Sequence, residues 1–156
     1  MGGPLGLVGH GTRERMLWGP LSAVGRPESI VFEVRRYRCR HCQRTTTVVP
    51  RGLLYRRLYN AVAIALGLGL WAVERLATHG IRSRVSPHRG APSEREHGWR
   101  SLGRWSRDAQ KLWPWLSCGH RDGRLRGAEV VQQLAGRALS TSGPLVELAC
   151  EGAPWA

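Results

Sequence analysis

Apolar residues recur along this chain in two rhythms, one of them two residues long and the other close to a helical turn. From Ile30 they alternate: Ile30, Phe32 and Val34 share one face, while Val31, Glu33 and Arg35 share the other, the signature of a half-buried strand. "TTTVV" (Thr45 to Val49) is β-branched throughout and closes on Pro50, which predicts a second strand. "TRERMLW" (Thr12 to Trp18) reads as a further strand, and "GPLSAVGRPES" after it as a long loop. Cys39 and Cys42 lie in the turn between the second and third of these runs, giving a β-hairpin with a CxxC tip.

Beyond Pro50 the rhythm becomes helical. Asn60 is placed to cap a helix running through "AVAIALGLGLWAVERLATH", and Gly80 to end it. This helix is apolar on nearly every side from Ala61 to Val73, which predicts burial at the centre of a small helical domain. A membrane span is the competing reading, but the uncharged run from Leu58 to Val73 falls short of the ~20 residues a bilayer needs. Gly67 and Gly69 each weaken such a helix by roughly 1 kcal/mol unless another helix approaches closely there.

"IRSRVSPHRGAP" (Ile81 to Pro92) reads as a short helical turn or connection. "SERE" (Ser93 to Glu96) matches a capping box and opens a helix that ends at Pro114. That helix carries an apolar stripe of Trp99, Leu102, Trp105, Ala109, Leu112 and Trp113. Arg100, Arg104, Arg107 and Lys111 form a cationic stripe behind it, interrupted only by Asp108. An amphipathic helix around Arg126 to Leu139 and a short apolar segment from Pro144 to Cys150 complete the chain. The pattern predicts a mainly α protein with a small N-terminal β-hairpin, in three parts: residues 1–52, 53–115 and 116–156.

Charge sharpens this outline. The 156 residues carry a net charge of +13, and Lys111 is the sole lysine among 24 basic residues. A surplus of that size calls for a polyanionic partner, of which nucleic acid is the commonest. The preference for arginine fits bidentate phosphate recognition and equally a GC-rich coding sequence. The cationic stripe could meet phosphates and guanine edges in a DNA major groove, or serve as the solvated face of an ordinary amphipathic helix. The start, "MGGPLGLVGHG", has neither a basic n-region nor a long apolar core, so a cytoplasmic location is expected.

Four cysteines, at 39, 42, 118 and 150, are too few and too scattered for a disulfide scaffold. Thiolates spaced CxxC at a hairpin tip reach one zinc ion from the same side, yet a tetrahedral site needs four ligands. His10, His41, Cys118 and His120 are the further candidates, and a pair of small, partly buried thiols is the plain alternative. A redox motif would put CxxC at a helix N-terminus, which the strand at Thr45 contradicts.

Catalysis is not expected. Asp108 and Asp122 are the only aspartates, no paired carboxylates stand in a catalytic context, and HExxH, GxSxG and a phosphate loop ending in Lys-Ser are all missing. No small-molecule substrate is expected either.

"HGTRER" (His10 to Arg15), "VRRYRCRHCQRTTTVVPRGL" (Val34 to Leu53) and "WRSLGRW" (Trp99 to Trp105) together resemble the N-terminal DNA-binding region of bacterial insertion-sequence transposases. They are more similar still to short free-standing proteins related to that region. The resemblance spans roughly residues 9 to 113. It implies a zinc-ribbon-like knuckle leading into a helix-turn-helix-type module, DNA binding, and no catalytic domain. In those proteins a first CxxC stands just before the segment matching His10 and Gly11; "MGGPLGLV" has no cysteine there, so of the four zinc ligands the resemblance implies, Cys39 and Cys42 are the two this sequence identifies.

On this reading Arg100, Arg104, Arg107 and Lys111 meet DNA from the last helix of the module, and Arg82, Arg84 and Arg89 clamp backbone phosphates. Arg35, Arg36 and Arg38 extend the footprint along the knuckle strand. RNA is a second possible target, with Tyr37, Tyr55 and Tyr59 available for stacking, and a homodimer is compatible with the sequence. The alternatives are a non-functional mobile-element remnant or protein-interaction module, and a small membrane-associated protein anchored through Leu58 to Val73.

Overall fold

The computed structural model describes residues 6–54, 56–88 and 99–155. The alternating segments form one antiparallel sheet, in the order β1 (Leu7–Gly19), β2 (Glu28–Cys39), β3 (Thr45–Val48). The strand expected at Thr12 is longer than its apolar pattern indicated, because β1 pairs with β2 from Leu7↔Cys39 to Gly19↔Glu28. The register shifts between Gly9 and Thr12, a bulge next to Gly11 at φ 78. Alternation along β2 holds: Val34 is buried, Ile30 and Phe32 are half-buried, and Val31 is exposed.

The long apolar helix is present but shorter than expected. α1 (Ala61–Leu68) is buried along its whole length and continues as a π-helical turn, Gly69–Val73. The sequence puts the stop at Gly80; the structure puts it at Arg75. There the Glu74 amide donates to the Gly69 carbonyl at 3.1 Å and the Leu76 amide to the Leu70 carbonyl at 2.9 Å. Arg75 takes the left-handed conformation, φ 56, that usually falls to glycine at a helix end. Gly80 instead lies inside α2 (Thr78–Val85).

Next come α3 (Arg100–Arg107) and α4 (Ala109–Leu112), divided at Asp108 where one continuous helix was expected. The capping box at Ser93 to Glu96 lies outside the described residues. α5 (Gly123–Ala135) starts and ends earlier than its sequence pattern indicated, because the Asp122 side chain accepts from the Arg124 and Leu125 amides and fixes the start. α6 (Leu145–Gly152) runs into a 3-10 turn, Ala153–Trp155.

The helices surround α1. Ile81 and Val85 of α2, Leu102 and Trp105 of α3, Val130, Val131 and Leu134 of α5, and Val146 and Ala149 of α6 belong to one buried cluster with it. The two glycines of this region lie where neighbours come closest. A Cβ on Gly67 would sit 2.9 Å from the Trp105 ring, and one on Gly69 would sit 2.7 Å from a Val146 methyl. The chain is thus mixed α/β: mostly helical, with one small antiparallel sheet. No helix among the described residues is long and apolar enough to cross a membrane.

Candidate nucleic-acid interface

The base of the sheet is fastened to the start of α1, which decides what the rest of the sheet exposes. The Trp18 amide donates to the Leu58 carbonyl at 2.7 Å and the Asn60 amide to the Trp18 carbonyl at 3.1 Å. Trp18, Tyr59, Trp99 and Trp105 then stack edge to face in a continuous series, with the Tyr59 hydroxyl donating to Ser86 at 3.0 Å. Tyr59 is therefore part of the joint between sheet and helices. Tyr37 is half-buried on β2, and Tyr55 lies outside the described residues.

Away from that joint the sheet becomes an arm. His10 to Glu14 on β1 are exposed, as is every residue from Arg40 to Arg51. On β2, Arg35 lies between Thr12 and Val48, Arg36 beside Thr47, and Arg38 between Val8 and Thr45. Arg35 and Arg38 are exposed and Arg36 is half-buried. Alternation sends Arg36 and Arg38 to one face and Arg35 to the other, so both faces are cationic.

The second group of cations lies on α3 and α4. Arg100, Arg104, Arg107 and Lys111 are exposed, while Trp99, Leu102, Trp105, Ala109 and Trp113 are buried behind them. The expected division of this segment into an apolar and a cationic side holds. Asp108, which breaks the stripe, accepts from Arg57 at 3.0 Å and from Lys111 at 3.2 Å. The Arg57 hydrogen bond, more than the nearby Lys111, holds the Asp108 carboxyl below the usual carboxylate range. Lys111 is thus partly neutralised. On α2, Arg84 is exposed and donates to the Ala23 carbonyl at 3.2 Å, and Arg82 lies over the Trp99 ring. Arg89 lies outside the described residues.

Sequence reasoning overlooked Arg40 and Arg44 in the hairpin turn and Arg13 on β1, all exposed. The signal was present: between Glu33 and Glu74 the chain has eight arginines and no acidic residue. It also overlooked the partnership of Arg57 with Asp108, which no local pattern announces because 51 residues separate them.

The cysteines divide into two kinds. Cys39 closes β2, and its amide donates to the Arg44 carbonyl at 2.9 Å; Cys42 is exposed in the turn. Amide hydrogen bonds from Cys42 and then His41, followed by a contact with the Cys42 thiol, hold the Cys39 thiol below its usual value. Burial does the opposite at Cys150, pushed up to about 12, and at Cys118. Of the further candidate ligands, the His41 ring lies against Gly6, His10 is exposed on β1, and His120 pairs with Glu129 at 3.5 Å. Among the described residues no group of three or more His, Cys, Asp or Glu side chains converges to hold a metal ion. Set against family models, curated proteins and solved structures, the chain matches none of them.

Proposed function

We propose that this chain binds DNA without catalysis of its own, in the manner of the transposase-related proteins its sequence resembles. The sheet arm takes the place of the ribbon-like knuckle in this reading, and α2 with α3 that of the helix-turn-helix-type module. The observation that carries it is the distribution of charge. Eight arginines fall between Glu33 and Glu74 with no carboxylate among them, and Arg35, Arg38, Arg40 and Arg44 stand exposed on the arm they build. Arg100, Arg104 and Arg107 add an exposed row on a helix whose opposite side is buried tryptophan. The helix that carries this row is packed through Leu102 and Trp105 before binding, so its backbone need not be reordered when phosphates arrive.

A β-arm and a helix face are both shapes that enter DNA grooves, and guanidinium groups suit phosphate oxygens in either. Titrating a fluorescent duplex at several salt concentrations tests the proposal. If six phosphates are neutralised, the logarithm of affinity falls against the logarithm of salt with a slope of about −5. A slope near zero discards the assignment.

A further inference from the structure

Arg40 and Arg44 of the Cys39–Cys42 turn belong to the proposed DNA surface, but the two thiols have no part in it. Zinc, which the sequence resemblance implies there, wants four ligands in a tetrahedron, and among the described residues no third His, Cys, Asp or Glu joins these two cysteines. Two coordination positions would be left to water, which makes a weak zinc site. We propose that the turn instead binds a soft monovalent d10 cation, copper(I) in particular, between the two thiolates in a two-coordinate site.

Three features of the turn fit that ion. Thiolate is the ligand class that selects copper(I), and two sulfurs complete a linear coordination that leaves zinc half-served. The turn is held in shape from both sides: the Gln43 amide donates to the Cys39 carbonyl at 3.0 Å, the Arg40 amide to Gly6 at 3.0 Å, and the Gln43 side chain to the Arg40 carbonyl at 2.7 Å.

Charge supplies the third. Binding releases both thiol protons, so copper(I) and two thiolates form a complex of net charge −1. The corresponding zinc complex with two waters is neutral. Arg38, Arg40 and Arg44 flank the turn, with no carboxylate between Glu33 and Glu74, so the surroundings favour the anionic complex.

The test is an anaerobic titration of the reduced full chain with copper(I) against bicinchoninate, with zinc titrated in parallel. One copper(I) per chain is expected, with X-ray absorption showing a shell of two sulfurs. Cys39→Ser and Cys42→Ser, with folding checked by circular dichroism, should each weaken binding by more than roughly 100-fold, beyond the loss of an outer-shell partner. Cys118→Ser should leave it unchanged. Equal copper affinity in the Cys39→Ser chain overturns the proposal. So does tight zinc binding at one ion per two chains, which would make the turn half of a tetrahedral site shared between copies.

Discussion

Asn60 caps α1 and in the same position holds Pro20, the residue just past the end of β1. Its side-chain oxygen accepts from the Ala63 amide at 2.6 Å while its side-chain nitrogen donates to the Pro20 carbonyl at 2.9 Å. Both bonds are buried, so one amide ties the helical core to the arm. Asn60→Ala removes the cap, worth about 1 kcal/mol, and leaves the Pro20 carbonyl unpaired, worth roughly 1–3 kcal/mol more. A combined loss of roughly 2–4 kcal/mol is expected in urea unfolding. Asp122→Ala removes only the exposed cap of α5 and should cost less.

Glycine-to-alanine changes should divide by sign. Gly80 lies in the first turn of α2 and Gly103 in the middle of α3, each with nothing within 4 Å of an added Cβ. Alanine at either should raise stability by about 0.5–1 kcal/mol through helix propensity. At Gly67 and Gly69 the same change runs into Trp105 and Val146. Overpacking there costs roughly 1–3 kcal/mol, which exceeds the propensity gain. Thermal melts of the four variants give the comparison, and stabilisation by Gly67→Ala would mean that α3 stands off from α1.

These glycines also show how far the sequence could be read. Periodicity located β2, β3 and α1, and the Trp99–Leu102–Trp105 stripe, because each is written in neighbouring residues whose spacing matches the element. The end of α1 was misplaced because a left-handed Arg75 carries no compositional mark, whereas Gly80 has one and does not use it. The pairing of β1 with β2 beyond Thr12 depends on hydrogen bonds of the backbone, to which His10 and Gly11 contribute no apolar pattern. Arg57 with Asp108 is a long-range contact of the kind one sequence does not encode locally.

Asp108→Asn should separate stability from binding. The change removes the partner of Arg57 and Lys111 and should cost about 1 kcal/mol, as for partly exposed pairs. Because the folded carboxyl titrates below an unfolded one, its contribution is present above roughly pH 4 and is lost as pH falls through the folded value. The variant should therefore show a flatter acid limb in its stability profile. If Lys111 is then free to meet a phosphate, the salt slope on duplex DNA steepens by about 1.

The two sides of α3 should fail differently. Trp105 is 3% exposed and touches α1 at Gly67, so Trp105→Ala should cost roughly 3–5 kcal/mol and unfold the chain or nearly so. Arg100→Ala with Arg104→Ala should leave the melting temperature within a few degrees and reduce the salt slope by about 1 for each phosphate no longer neutralised. Arg35→Ala with Arg38→Ala makes the same measurement for the arm. Full affinity in both double variants would remove the DNA reading from both surfaces.

Alkylation should order the four cysteines. Cys42 is exposed, Cys39 and Cys118 are half-buried, with only Cys118 of these two having its thiol pushed up by burial, and Cys150 is 3% exposed on the inner side of α6. Iodoacetamide at pH 8, followed by mass spectrometry, should modify Cys42 and Cys39 first, Cys118 later and Cys150 only on unfolding. The buried thiol adds a pH dependence. Its folded value of about 12 lies above the roughly 8.5 of an unfolded thiol, so it contributes stability that is fully present below about pH 8.5. That contribution declines by about 1.4 kcal/mol per pH unit as the solution becomes more alkaline. Cys150→Ala should remove this dependence at some cost in packing, and an unchanged alkaline profile would place the thiol in contact with water.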